Sequence, residues 1–87
     1  MEEHKYKILK ELSRDSTLSQ RDLSKKVGLS VGRINYIVNS LIKSGYIKAR
    51  RFKNARNKIG YMYILTPEGF REKVEITNLF LMKKSRE

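Results

Sequence analysis

Three helix starts in this chain are marked by one repeated pattern, which constrains the fold more than any other feature. A Ser or Thr stands directly after one apolar residue, with a second apolar residue four positions further along. The hydroxyl can accept a hydrogen bond from the first helical turn, and the two apolar residues pack together as a hydrophobic staple. Gly28 and Gly45 suit the ends of the first two helices. The three predicted N-caps are Ser19, Ser30 and Thr66.

The segment before the third of these helices has the pattern of a β-hairpin. Residues 46–53 and 61–65 are rich in aromatic and branched side chains, and the connector 54–60 is polar with turn-forming residues. An earlier helix over about residues 2–13 carries Ile8, Leu9 and Leu12 on one face. The sequence predicts a mainly α (α+β) fold, a winged helix-turn-helix with a three-helix core, a two-stranded β wing and a C-terminal helix.

Positive charge is concentrated in the middle of the chain. Of the 20 Lys and Arg residues, ten lie between Leu23 and Thr66, where there is no Asp or Glu; outside this block ten cations face nine carboxylates. Each cation placed near a phosphate releases condensed counterions and so favours binding. Nucleic acid is therefore the predicted partner.

The composition argues against an enzyme, a metal site and a membrane protein. A chain of 87 residues builds one modest core and no deep substrate cavity. There is no Cys, and the single His4, expected to be solvent-exposed, cannot form a zinc site alone. The carboxylates lie on helix surfaces and the glycines are scattered, so we expect no enzyme, metal or cofactor. With neither a secretory signal nor a membrane span in the sequence, we expect a cytoplasmic protein.

The second capped helix is the predicted recognition helix. Apolar residues at helical spacing from Ile34 to Ile42 define its core-facing stripe. On the opposite face Arg33 can pair with guanine, and Asn35 or Asn39 with adenine; the alternative is an ordinary solvated surface. The predicted DNA-contacting set is Ser30, Gly32, Arg33, Asn35, Tyr36, Asn39, Ser40 and Lys43.

The wing supplies a second predicted contact set. Its basic side chains can follow the DNA backbone or enter the minor groove, although charge on a wing can also simply protect a strand edge. Lys25 and Lys26 lie where the preceding helix would cross the backbone, but the helix dipole explains them equally well. Tyr61 and Tyr63 are expected to fill the core behind the wing. The wing set is Arg50, Arg51, Lys53, Arg56, Asn57 and Lys58.

The last helix is apolar on several sides and so needs more than one neighbour. We predict one domain over residues 1–87, with the helix-turn-helix and wing in 1–66 and a dimerising helix in 67–87. A symmetric dimer would place two recognition helices about 34 Å apart on an inverted repeat. The alternative is a helix that only completes the core. The predicted dimer residues are Phe70, Val74, Ile76, Thr77, Leu79, Phe80, Leu81 and Met82.

Several runs of sequence resemble MarR-type transcriptional regulators. LSVGRINYIV at residues 29–38, SGYI at 44–47 and LTPEG at 65–69 are similar to the recognition helix, first wing strand and following helix start of that family. More narrowly, FKN at 52–54, NK at 57–58 and YMYILTP at 61–67 resemble a small subgroup associated with exopolysaccharide gene clusters. Many wings of the family carry an acidic residue and then an Arg near the tip. This chain departs from that pattern with Asn57, Lys58 and Ile59 there, so the role of the Arg in the minor groove would fall to Arg56 or Lys58.

Together these observations predict a sequence-specific regulator of transcription. It would bind double-stranded DNA as a homodimer and act as a repressor by occupying a promoter. The alternative is a winged-helix module that binds RNA or joins a larger protein assembly. The sequence does not indicate a small-molecule effector.

Overall fold

The computed structural model describes residues 2–53 and 59–86, and side chains for residues 3–53, 60–79 and 81. The element order is helix, helix, helix, strand, strand, helix, which confirms the predicted winged helix fold. The two strands form one antiparallel sheet. The elements are α1 (Glu2–Arg14), α2 (Gln20–Val27), α3 (Val31–Lys43), β1 (Ile47–Lys53), β2 (Ile59–Leu65) and α4 (Pro67–Arg86).

The helix boundaries follow from the predicted caps. The Ser19 hydroxyl accepts from the Asp22 backbone N–H at 3.1 Å, and the Asp22 carboxylate accepts from the Ser19 N–H at 3.0 Å. Ser30 accepts from the Arg33 N–H at 3.2 Å, and Thr66 from the Gly69 N–H at 3.0 Å. These bonds satisfy backbone donors that have no partner inside the helix. All three predicted N-caps are confirmed.

The core lies between the first three helices and the base of the sheet. Ile34 and Leu41 are buried as predicted, but Ile42 is exposed at the edge of the α3 stripe. No polar or charged residue among those described is buried. The folded state is therefore stabilised by the packing of apolar side chains. The cluster comprises Ile8, Leu9, Leu12, Leu18, Leu23, Ile34, Ile37, Val38, Leu41, Ile47, Tyr63 and Leu65.

The sheet differs from the prediction in two ways. β2 begins at Ile59, inside the predicted connector, since Gly60 pairs with Phe52 across the sheet. A Cβ on Gly60 would lie 2.9 Å from the Phe52 ring, so the glycine leaves room for that ring. Tyr63 is buried as expected, whereas Tyr61 is 53% exposed. β2 runs from the outer end of the wing towards Leu65, and at Tyr61 it has not yet reached the core.

The final helix packs along α1 and against the turn before β1. Lys5 forms an ion pair with Glu72 at 3.3 Å between the two helices. Ile76, predicted to face a second chain, is only 1% exposed and belongs to the core of its own chain. The prediction for this residue was wrong because the apolar pattern of α4 did not show which side meets α1.

The environment of His4 in α1 differs from the prediction. His4, expected to be solvent-exposed, is half-buried, and its Nδ1 is buried without a hydrogen-bond partner among the described residues. The prediction failed because His4 lies on a side of α1 that is partly covered.

Across residues 2–53 and 59–86, none of the helices combines the length and apolar character needed to cross a bilayer.

Candidate nucleic-acid interface

The structure brings the predicted recognition residues together on one solvent-facing side of α3. All eight are exposed, including Tyr36, whose side chain is 58% exposed despite its size. The opposite side of the helix is buried from Ile34 to Leu41. Packing therefore fixes which face of α3 a ligand can reach.

The turn between α2 and α3 holds the predicted recognition helix at its N-terminus. Gly28 ends α2 with a φ of 82°, in the left-handed region that favours glycine. The Ser24 hydroxyl donates to the Leu29 carbonyl, which ties the end of α2 to the start of α3. Ser30 then caps α3 at an exposed position. The α3 N-terminus, with its positive helix-dipole end, remains open to solvent.

Residues on the exposed side of α3 fall into a central row and two flanks. With a step of about 100° per residue, Gly32, Tyr36 and Asn39 lie along the centre, opposite the buried stripe. Nothing lies within 4 Å of the position that a Cβ on Gly32 would occupy. Arg33 lies on one flank, and Asn35 lies on the other. The central row therefore projects farthest from the core on this side of the domain.

Asn35 belongs to a chain of polar side chains that the sequence pattern did not predict. Its Nδ2 donates to Gln20 Oε1 at 3.2 Å, and its Oδ1 accepts from Asn39 Nδ2 at 3.2 Å. Gln20 Nε2 in turn donates to the Tyr63 hydroxyl at 3.1 Å. The predicted contact residues Asn35 and Asn39 are thus connected to α2 and to the wing. Gln20 and Tyr63 are far from α3 in sequence, so no local pattern indicated this connection.

The wing cations do not form a single row. Side chains alternate along a strand, so Arg50 lies on one face of the sheet, whereas Arg51 and Lys53 lie on the other. Lys48 is exposed on the same face as Arg50 and was missed, although its two-residue spacing from Arg50 could have identified it. The wing-tip residues Arg56, Asn57 and Lys58 lie outside the described residues.

The eight described cations of the basic block are all exposed, and no ion pair holds any of them within the described part of the chain. The ion pairs found there are Lys5–Glu72, between α1 and α4, and Lys7–Glu3, within α1. Exposed cations that form no ion pair leave their charge available to a polyanion. The eight are Lys25, Lys26, Arg33, Lys43, Lys48, Arg50, Arg51 and Lys53.

Several carboxylates, in contrast, form hydrogen bonds within the domain. Hydrogen bonds from the Ser19 backbone and side chain lower the pKa of Asp22, and bonds from Thr17 lower the pKa of Asp15. The Glu72 carboxylate raises the pKa of the Tyr46 hydroxyl, mainly by hydrogen bonding and then by charge. The described residues contain no group of three His, Cys, Asp or Glu side chains placed to hold a metal ion.

An exposed, capped helix beside a two-stranded basic wing defines a winged helix-turn-helix domain. The family model for winged helix-turn-helix DNA-binding matches residues 1–48, and the chain belongs to this family. Comparison with curated proteins gives no match.

Several solved structures share the fold. BldR from Sulfolobus solfataricus is 20% identical with a TM-score of 0.78, over 95% of this chain and 58% of that one. A mutant of S. aureus MepR is 18% identical with a TM-score of 0.77, over 95% and 61%. A MarR/EmrR family regulator from Acinetobacter sp. ADP1 is 24% identical with a TM-score of 0.68, over 94% and 56%. The chain thus spans somewhat more than half the length of these structures.

Proposed function

We propose that this chain is a MarR-type transcriptional regulator that reads double-stranded DNA with α3 in the major groove. The observation that carries the proposal is the exposed face of α3, which joins Arg, Asn and Tyr side chains with no carboxylate. An ordinary solvated helix face has no need to exclude one sign of charge. Membership of a winged helix-turn-helix DNA-binding family supports the same function.

Each part of the α3 face has a proposed role. Arg33 pairs with a guanine edge, and Tyr36 packs on a thymine methyl or bonds a phosphate. Gly32 lets the helix backbone approach the groove floor, since it has no side chain to hold the helix away. Ser30, at the helix start, lies where backbone N–H groups can meet a phosphate. Asn39 reads adenine, while Ser40 and Lys43 extend the contact along the groove.

Phosphate contacts position the domain on the duplex. Arg51 and Lys53 share one wing face with the exposed Tyr61, and Arg50 lies on the other face. Arg56 or Lys58 at the tip is proposed to enter the minor groove. Such contacts carry little sequence information but supply much of the affinity and its salt dependence. The exposed Lys25 and Lys26 at the end of α2 add to this set.

A homodimer through α4 completes the proposal. Phe70, Val74 and Leu81 are 49%, 57% and 60% exposed and fall within about 40° of one another around the helix. This stripe lies away from the side that buries Ile76. Burying it against a second copy removes apolar surface from water. Leu79 is exposed on another side of α4 and is therefore left out of the proposed interface. The side chains of Phe80 and Met82 lie outside the described residues.

Such a dimer would bind an inverted repeat with half-sites about 34 Å apart. Occupation of a promoter by the dimer makes repression the proposed mode of regulation. The narrower resemblance of the wing and α4 start points to exopolysaccharide gene clusters as the first place to look for targets.

Selection of genomic DNA fragments by the purified protein at near-physiological salt tests the proposal. Sequencing of the retained fragments should show an inverted repeat. Competition of the retained duplex with structured RNA serves as the specificity control. Retention without sequence preference, or stronger binding of the RNA, would contradict the proposal.

A further inference from the structure

A chain of hydrogen bonds links the wing to the recognition face. It runs from the Tyr63 hydroxyl through the side chains of Gln20 and Asn35 to Asn39. Three elements contribute, namely β2, α2 and α3. Tyr63 anchors the inner end, since its ring is buried and its backbone N–H donates to the Ser16 carbonyl at 3.1 Å. Asn39 forms the outer, exposed end.

The donors and acceptors along the chain define which way the nitrogen and the oxygen of each amide face. Gln20 and Asn35 each donate through the nitrogen to the inner neighbour and accept through the oxygen from the outer neighbour. If Asn39 alone were reversed, its carbonyl oxygen would face that of Asn35, and two acceptors repel. Asn39 therefore reverses only if Gln20 and Asn35 reverse with it, so the three amides keep one common direction.

Held in this way, Asn39 presents a defined pair of groups to a ligand. One N–H of its amide bonds Asn35, so its carbonyl oxygen and its second N–H remain free. Adenine offers the complementary N6 donor and N7 acceptor in the major groove. Asn35, in contrast, already uses its oxygen and one N–H within the chain.

We infer that Gln20 and Tyr63 are positioning residues that orient Asn39 to read an adenine. Asn35 transmits this orientation and does not itself carry the base contact. The inference rests on the proposed DNA-binding function and assigns one base preference to one side chain. Preorganisation of this kind raises selectivity because the amide does not have to be ordered when it meets the base.

The test compares base preference at each position of the selected operator among single variants. Asn39→Ala should lose roughly ten- to one-hundredfold of the adenine preference at one position in each half-site. Gln20→Met should lower the same preference roughly three- to tenfold, the effect of one net hydrogen bond. Other operator positions should keep their preferences.

Two further variants separate positioning from general affinity. Gln20→Glu still offers an oxygen to Asn35, so it should keep the adenine preference while its negative charge weakens binding to every sequence. Tyr63→Phe retains the buried ring and removes the hydroxyl, so it should reduce the preference even if Gln20→Met folds poorly. Arg21→Met, at an exposed neighbouring position, is the matched control and should leave the preference unchanged.

The outcomes distinguish the inference from the proposed function. An adenine preference that is unchanged in both Gln20→Met and Tyr63→Phe would overturn the positioning role and leave the DNA-binding function intact. An operator whose adenine preference survives Asn39→Ala would overturn the assignment of the reading residue. A wild-type chain without sequence preference would overturn the proposed function, and the inference with it.

Discussion

Replacing Gly69 with Ala should destabilise the domain, because the first turn of α4 lies against the turn that precedes β1. A Cβ on Gly69 would lie 1.9 Å from the Tyr46 carbonyl oxygen, and 3.0 Å is the closest approach that real Cβ atoms show. Either α4 or the Tyr46 carbonyl must therefore move by about 1.1 Å, the difference between these distances. The same carbonyl accepts from the Thr66 N–H at 3.1 Å, so movement also strains that bond.

The expected magnitude combines three effects. Overpacking of this kind costs about 1–3 kcal/mol, and weakening one backbone hydrogen bond adds about 1 kcal/mol. Alanine is favoured over glycine in a helix by about 1 kcal/mol, which offsets part of the loss. The net expectation for Gly69→Ala is a loss of roughly 1–3 kcal/mol in the free energy of unfolding.

Gly32→Ala is the matched control, since it makes the same chemical change inside a helix with nothing within 4 Å of the new methyl group. It should stabilise the domain by up to about 1 kcal/mol. Urea unfolding of both variants at one protein concentration, followed by circular dichroism, measures the difference. If Gly69→Ala were as stable as the parent chain, the close packing of α4 on Tyr46 would be refuted. Under the proposed function, Gly32→Ala should also bind the operator more weakly despite its greater stability.

The remaining predictions concern the groove, the wing, the dimer and pH. Arg33→Ala should weaken operator binding by roughly 1–3 kcal/mol in fluorescence anisotropy, and unchanged affinity would exclude it from base contact. Arg51→Gln should lower the slope of log affinity against log salt by about one, whereas an unaltered slope would remove it from the phosphate set. Val74→Glu should yield monomers in analytical ultracentrifugation, with Leu79→Glu as the control; a dimeric Val74→Glu would contradict the proposed interface. Because its pKa is lowered by folding, Asp22 contributes stability above about pH 4 that is lost as pH falls through its folded-state pKa. Thermal unfolding of Asp22→Asn should therefore depend less on pH in acid, and equal acid sensitivity would argue against the capping role.

The helix starts could be predicted because their chemistry is local. Ser19, Ser30 and Thr66 each bond a backbone N–H three residues ahead, so a short window of sequence contains both partners. The exposed face of α3 followed from the same kind of reasoning, since one apolar stripe determines the opposite side. The wing followed from composition and turn residues.

The orientation of α4 could not be predicted, because apolar residues occur around much of its circumference. Its buried side faces residues distant in sequence, as the approach of Gly69 to Tyr46 and the Lys5–Glu72 ion pair show. Ile76 consequently belongs to the core, while Phe70 remains exposed. The same reason explains the missed polar chain, since the Gln20–Tyr63 hydrogen bond joins residues 43 positions apart.

The turn at Gly45 and Tyr46 connects α3, the proposed recognition helix, directly to the start of α4. The Gly45 and Tyr46 N–H groups donate to carbonyls of Ile42 and Leu41 at the end of α3. The Gly45 carbonyl accepts from the Thr66 hydroxyl, and the Tyr46 carbonyl accepts from the Thr66 backbone N–H. One short turn therefore bonds the C-terminal end of α3 and the N-terminal end of α4 at once. Since α4 is the proposed dimer helix, the spacing of two recognition helices would be determined by this rigid junction, and altered half-site spacing should weaken binding steeply.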